Sequence, residues 1–238
     1  MSELARIAGD ATTARLFLGS AGVALPTGEA LRLRSDHAAA RDAVAAELDP
    51  SGALATAIDD LGGFTVSTCA GSPAEHLLRP DLGRRLLPED AATVVDRLPR
   101  GVDVQIVVGD GLSAGAVEES AGAVATSLLD KFGERGLSTA PPILVRHCRV
   151  GVMNHIGDLT APEIVVLLIG ERPGLATPRS MSAYLAHRPR SGRTDADRNC
   201  ISNIHRNGVA IDAAVARIVA LIDEIRRAGA SGVAVKER

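Results

Sequence analysis

Tryptophan is absent from this chain of 238 residues, and its only aromatics are Phe17, Phe64, Phe132 and Tyr184. Four scattered rings make no platform on which successive bases of a single strand could stack. An excess of positive charge is missing too: 26 Lys and Arg stand against 29 Asp and Glu, for a formal net charge of −3. Without a basic face there is nothing to track a phosphate backbone, so nucleic acid is not the expected partner. No apolar run approaches the roughly 20 residues of a membrane-spanning helix. The opening Met1-Ser2-Glu3-Leu4-Ala5-Arg6 has no basic segment leading into an apolar one, as a secretory signal would. The three cysteines, Cys69, Cys148 and Cys200, are an odd number with no C-x-x-C spacing. Such thiols suit a reducing cytoplasm. The expectation is a soluble cytoplasmic protein with no membrane anchor.

Several catalytic signatures are missing as well. No serine sits in a G-x-S-x-G elbow, which argues against hydrolase chemistry on an α/β scaffold. Val108-Gly109-Asp110-Gly111-Leu112-Ser113 follows an apolar run and precedes a helical pattern. It is neither G-x-G-x-x-G nor a Walker sequence and has no phosphate-reaching lysine. A strand-to-helix turn capped by Asp110 or Ser113 accounts for it better than a nucleotide site. The histidines are His37, His76, His147, His155, His187 and His205. None pairs with another or with a cysteine at the spacing of a structural zinc site, so no metal held by protein side chains is expected.

What is present is an alternation of short apolar runs and helical stripes. Ser35 is placed to cap a helix over Ala38–Leu48, ended by Asp49-Pro50, and a second short helix runs over Ala53–Leu61 to Gly62-Gly63. Phe64–Thr68 reads as an edge strand. Pro88, followed by Glu89 and Asp90, opens a helix. Val102–Val108 and Ile143–Val145 read as strands flanking a helix with Val117, Ala121, Val124 and Leu128 on one face, and Ile164–Ile169 as a strand buried on both faces. Ile211, Val215, Ile218, Ile222 and Ile225 mark a helix closed by Gly229, followed by a final strand at Gly232–Val235. Arg179–Asp197 shows no periodicity and reads as a loop, long enough to be functional. The pattern predicts an α/β fold: a Rossmann-like, mostly parallel sheet with helices on both faces, plus a small N-terminal helical appendage. The expected division is residues 1–50 as the helical segment and 51–238 as the α/β domain.

In open α/β sheets ligands bind beyond the carboxyl ends of the strands. The run Ile164–Ile169 breaks there at Gly170-Glu171-Arg172-Pro173-Gly174, which delivers Glu171 into that crevice. The plain alternative for Glu171 is a solvated loop carboxylate paired with Arg172. For Cys200 it is a small buried hydrophobe.

The pairing of Gly170-Glu171-Arg172-Pro173-Gly174 with Asp197-Arg198-Asn199-Cys200-Ile201-Ser202-Asn203-Ile204-His205 resembles the small (light) subunit of ethanolamine ammonia-lyase. Arg79-Pro80-Asp81-Leu82-Gly83-Arg84-Arg85-Leu86, the segment from Val104 to Ser113 and Arg149-Val150-Gly151-Val152 extend the resemblance from about Thr13 to the C-terminus. Some members carry a long N-terminal extension, and this chain begins shortly before the shared region. The resemblance implies a subunit of an adenosylcobalamin-dependent enzyme that turns ethanolamine into acetaldehyde and ammonia by radical chemistry. It implies a heavy-subunit partner, a TIM barrel that carries the catalytic residues, in a large hetero-oligomer, with a bacterial microcompartment as a possible setting. It also implies cofactor contacts at Val150, Glu171 and Cys200, with no catalytic residue and no metal ligand here. Val150 would not be singled out on any other ground. Absence of a D-x-H-x-x-G sequence is compatible with cobalamin keeping its own base as lower ligand. Two other readings stay open: a non-catalytic cobalamin carrier or assembly protein, and a stand-alone nucleotide-using α/β enzyme. The role of Arg79-Pro80-Asp81, a subunit contact or an internal ion pair, is left open.

Overall fold

The computed structural model describes residues 3–12 and 14–237. Helices α1 (Glu3–Ala11) and α2 (Thr27–Ala45) lead into α3 (Ala53–Asp60). Helix α2 starts behind Pro26, well ahead of Ser35, so Ser35 lies inside the helix and caps nothing. None of its residues is buried. Leu48, just past its end, enters the core instead.

The body then alternates as expected: β1 (Phe64–Ser67), α4 (Pro73–Leu78), α5 (Pro88–Arg97), β2 (Val104–Gly109), α6 (Ala114–Glu134), β3 (Ile143–Arg146), α7 (Val152–Thr160) and β4 (Ile164–Gly170). Strands β5 (Met181–His187) and β6 (Arg198–Ile204) and helix α8 (Ile211–Ala228) complete it. Every residue of β2 and β4 is buried, as befits central strands with packing on both faces. Gly229 closes α8 with φ 62°, a left-handed cap that glycine adopts without steric cost.

The sheet order is β1-β3-β2-β4-β5-β6. Strands β1, β3, β2 and β4 are parallel, whereas β5 and β6 run antiparallel to their neighbours. The sheet is therefore mixed, not mostly parallel. The reason lies in the connections. A parallel crossover needs a dozen or more residues, usually a helix. Only residues 171–180 join β4 to β5, and only 188–197 join β5 to β6. Strand β5 occupies the stretch read as a loop, in which Met181, Ala183 and Leu185 face one side and Ser182 and Tyr184 the other. The final strand expected at Gly232–Val235 does not form. Gly232 has φ 90°, and Val233 N–H donates to Ala196 O in a single loop contact.

Two cores lie on the two faces. One joins α3, α6 and α8 to residues such as Ile106, Val166, Leu185 and Ile201. The other joins α5 and α7 to Val107, Val145, Leu167 and Ile169, and takes no residue from β6. Helices thus cover both faces of the parallel half, while on the α7 side the β5–β6 end of the sheet is bare of helix among the described residues. No helix among them is long and apolar enough to cross a membrane.

Candidate functional site

The bare end of the sheet meets the carboxyl ends of β2, β3 and β4 in a cleft of about 300 Å³, whose walls include Val150, Glu171 and Cys200. Three residues 50 positions apart in sequence at the extremes thus share one wall. Leu112, Arg149, Arg172, Ser182, Tyr184 and Ser202 join them there.

The turns that build the cleft lock into one another. Gly111 has φ 57°, and a Cβ on it would lie 2.2 Å from Gly170 O. Only glycine permits that approach, and it lets Leu112 N–H donate to Gly170 O at 3.0 Å. Asp110 is not a helix cap. Its buried carboxylate accepts from His147 N–H at 2.6 Å and from Cys148 N–H at 2.7 Å, and so binds the β2 turn to the β3–α7 turn. Burial raises its pKa, against the lowering effect of these two N–H groups. Ser113 precedes α6 but makes no capping bond, and its hydroxyl donates to Pro178 O at 2.9 Å.

Val150 follows in that second turn, half-buried against the α5–α7 core. Beside it, Arg149 donates to His76 O at 2.7 Å. Burial, then the charges of Arg172 and Arg84, lower the Arg149 pKa. Glu171 is no solvated partner of Arg172. Its Oε1 accepts from the Ser182 hydroxyl and, at 2.9 Å, from Asn203 N–H, which fixes the carboxylate across the β4–β5–β6 edge. No bond within the chain engages its Oε2 among the described residues.

Cys200 stands opposite Tyr184 in the β5–β6 register. The residue is exposed, unlike Cys148, which is fully buried. That placement removes the buried-hydrophobe reading for Cys200. Partial burial of its sulfur is the first cause of a raised thiol pKa, with the Glu171 charge adding to it and the Ser182 and Tyr184 hydroxyls opposing.

A sequence profile described as ethanolamine ammonia-lyase light chain (EutC) matches residues 3–236. The chain belongs to the ethanolamine ammonia-lyase light chain family. It is 42% identical over 228 residues to the "Ethanolamine ammonia-lyase small subunit" of Rhodopseudomonas palustris (strain BisA53), covering 95% of this chain and 87% of that one. Similar proteins of the same name occur in Clostridium perfringens (40% over 225 residues, 94% and 75% covered) and Pseudomonas fluorescens (41% over 231 residues, 95% and 83% covered).

In this light chain, Ser182, Tyr184 and Ser202 are cleft residues that sequence reasoning missed. For Ser182 and Tyr184 the signal was present as the alternation of polar with apolar residues from Met181 to Leu185, hidden by a short, Arg- and Ser-rich context, while Ser202 lies two residues beyond Cys200 on β6. Arg79 and Asp81 form an internal ion pair at 2.7 Å with both side chains 58% exposed. Pairs that exposed contribute little to stability.

Tyr184 offers a direct check on the cleft. Burial, followed by the neighbouring Cys200, pushes its phenol from an ordinary 10.0 up to about 12. As the only tyrosine in a chain without tryptophan, it alone gives the tyrosinate absorbance. The folded chain should titrate with a midpoint near pH 12, and the chain in denaturant near about 10. The folded state holds this proton more tightly. Its contribution to stability is therefore full below about pH 10 and is lost as pH rises through about 12. A folded-state midpoint at the denatured value would contradict the half-buried phenol.

Proposed function

We propose that this chain is the light subunit of an adenosylcobalamin-dependent ethanolamine ammonia-lyase and that the cleft forms one wall of the cofactor site, closed by a heavy subunit. The observation that carries the reading is the convergence of Val150, Glu171 and Cys200 on a single cleft beside an uncovered sheet edge. A cleft of about 300 Å³ lies at the small end of the range for drug-sized ligands. A corrin several times larger needs a second wall, and a partner subunit supplies one. The name of the relatives, a small subunit, supports a larger companion. On this reading that companion is a TIM barrel bearing the catalytic residues, and the whole is a large hetero-oligomer. Residues 1–50 act as a helical segment attached to the 51–238 domain, in keeping with the absence of any buried residue in α2.

The residues present fit such a group. The open Oε2 of Glu171 would accept a hydrogen bond from an amide N–H, the kind of donor that fringes a corrin. Ser182 and Asn203 hold that carboxylate in place, so little ordering is left to do on binding. Val150 offers apolar contact, and the exposed Cys200 is a small residue on the sheet surface that leaves room above it. Bound adenosylcobalamin would supply radical chemistry through its cobalt–carbon bond. The chain's own part is to bind, orient and exclude water.

The purified chain alone is expected to deaminate no ethanolamine, with activity appearing only when the heavy subunit and adenosylcobalamin are both added. Turnover by the chain alone would overturn this division of labour. Glu171→Ala in the assembled complex should weaken cobalamin binding by about 1–3 kcal/mol, roughly 5- to 150-fold. Folding and subunit association should survive, because the residue lies beyond the end of its strand. An unchanged dissociation constant would remove Glu171 from the cofactor site.

A further inference from the structure

A second cavity, of about 570 Å³, begins where the cleft ends: Val150 lines the cleft, and the next residue, Gly151, lines this cavity. Four arginines line it, Arg84, Arg85, Arg193 and Arg198, against one acidic lining residue, Asp195. We propose that this cavity is an oxyanion subsite that takes a phosphoryl group, either the phosphodiester of the bound cofactor's nucleotide loop or free phosphate.

The charge balance is the first argument. Arg193 pairs with Asp197 and Arg198 with Asp195, but Arg84 and Arg85 enter no ion pair among the described residues. Asp195 is 84% exposed, so water screens most of what it offers Arg198. Neither arginine is thus held by a direct ion pair, the Asp81 charge acting on Arg84 only from a longer range, and an anion in the cavity would supply a close counter-charge.

The second argument is that the site is built rather than accidental. The Arg198 side chain is only 4% exposed, lines the cavity, and has an Nε–H with no partner among the described residues. Its other nitrogens are held by Asp195 and, at 3.2 Å, by Asn154 Oδ1. Arg84 is equally placed by packing. A Cβ on Gly151 would come within 2.7 Å of its Cγ, so the missing side chain makes room for the arginine stem against the start of α7. His155 accepts from Leu86 N–H at its Nδ1, 3.0 Å away, which assigns its proton to Nε2. Burial, then the Arg85 charge, lower its pKa, keeping the ring a neutral donor. Guanidinium forks match the paired oxygens of a phosphoryl group, and several forks offer more donors than the two oxygens of one carboxylate can accept.

The cofactor reading bears only on the source of the phosphoryl group, and the test separates the two. Arg84→Gln with Arg85→Gln removes the unpaired charges from exposed positions while keeping the stems. Calorimetric titration of the full chain with inorganic phosphate, at constant ionic strength in chloride, should show binding that the double variant weakens at least tenfold. In the assembled complex, the variant should lose at least tenfold in cobalamin affinity but nothing for cobinamide, which lacks the nucleotide loop and its phosphate. Loss with cobalamin alone or with both probes assigns the cofactor's phosphodiester, and loss with inorganic phosphate alone assigns free phosphate. If wild-type complex binds no cobalamin, the cofactor reading fails and the phosphate titration still decides the subsite. No change with either probe overturns the proposal, and weakened association with the heavy subunit in that case would mark the arginines as a dock for an acidic protein segment.

Discussion

A complex carrying Cys200→Trp is expected to bind cobalamin at least about 100-fold more weakly than wild type, a loss of about 2.7 kcal/mol, with the light chain still folded. The two halves of that expectation come from one placement. Cys200 is exposed on β6, so an indole there displaces no core residue and leaves no cavity. The same indole rises into a cleft of about 300 Å³, directly across from Tyr184, and occupies space the proposed cofactor needs. Cys200→Ala is the matched control. It should leave stability within about 0.5 kcal/mol, as surface substitutions usually do. Alkylation gives a second readout: cobalamin should protect Cys200 in the complex, while buried Cys148 stays inert throughout. Undiminished affinity in the Trp variant would place the corrin elsewhere.

Asp110→Ala should cost the folded chain about 3 kcal/mol or more, seen as a lower urea midpoint at unchanged slope. Asp110 is 7% exposed, and its two oxygens satisfy the N–H groups of His147 and Cys148. Removing the carboxylate strands both donors, each costing about 1–3 kcal/mol when buried without a partner. His147 has φ 53°, a conformation disfavoured for a residue with a side chain, and the Asp110 bond helps to hold it. Loss of that bond should also loosen the turn bearing Arg149 and Val150, so cobalamin affinity should fall even where the variant remains folded. A loss below about 1 kcal/mol would show that the turn holds without Asp110.

The division between sequence and tertiary structure follows from the range of the forces involved. Apolar runs and helical stripes are local, and they marked β1, β2, β3, β4, α5, α6 and α8 closely because burial on a sheet or helix face imposes its period on neighbouring residues. Family membership was legible in the pairing of Gly170–Gly174 with Asp197–His205, and Val150, Glu171 and Cys200 came as cofactor contacts only through what that resemblance implies. Strand direction was not. That β5 and β6 return antiparallel depends on how far ten-residue connections reach, and the alternation within Met181–His187 is too brief to stand out from an Arg- and Ser-rich surround. Asp110 read as a helix cap because a carboxylate before a helix most often is one; its partners, 37 and 38 residues away, exist only once β2 and β3 lie side by side. Glu171 likewise has a neighbouring arginine in sequence but finds its partners on β5 and β6, and the four arginines of the second cavity are scattered from 84 to 198. The apolar faces of the central strands and of α6 and α8 the sequence determined by itself, since hydrophobicity is written residue by residue. Which polar groups meet was decided by the tertiary structure alone, because hydrogen bonds and charges act between groups that only the folded sheet brings together.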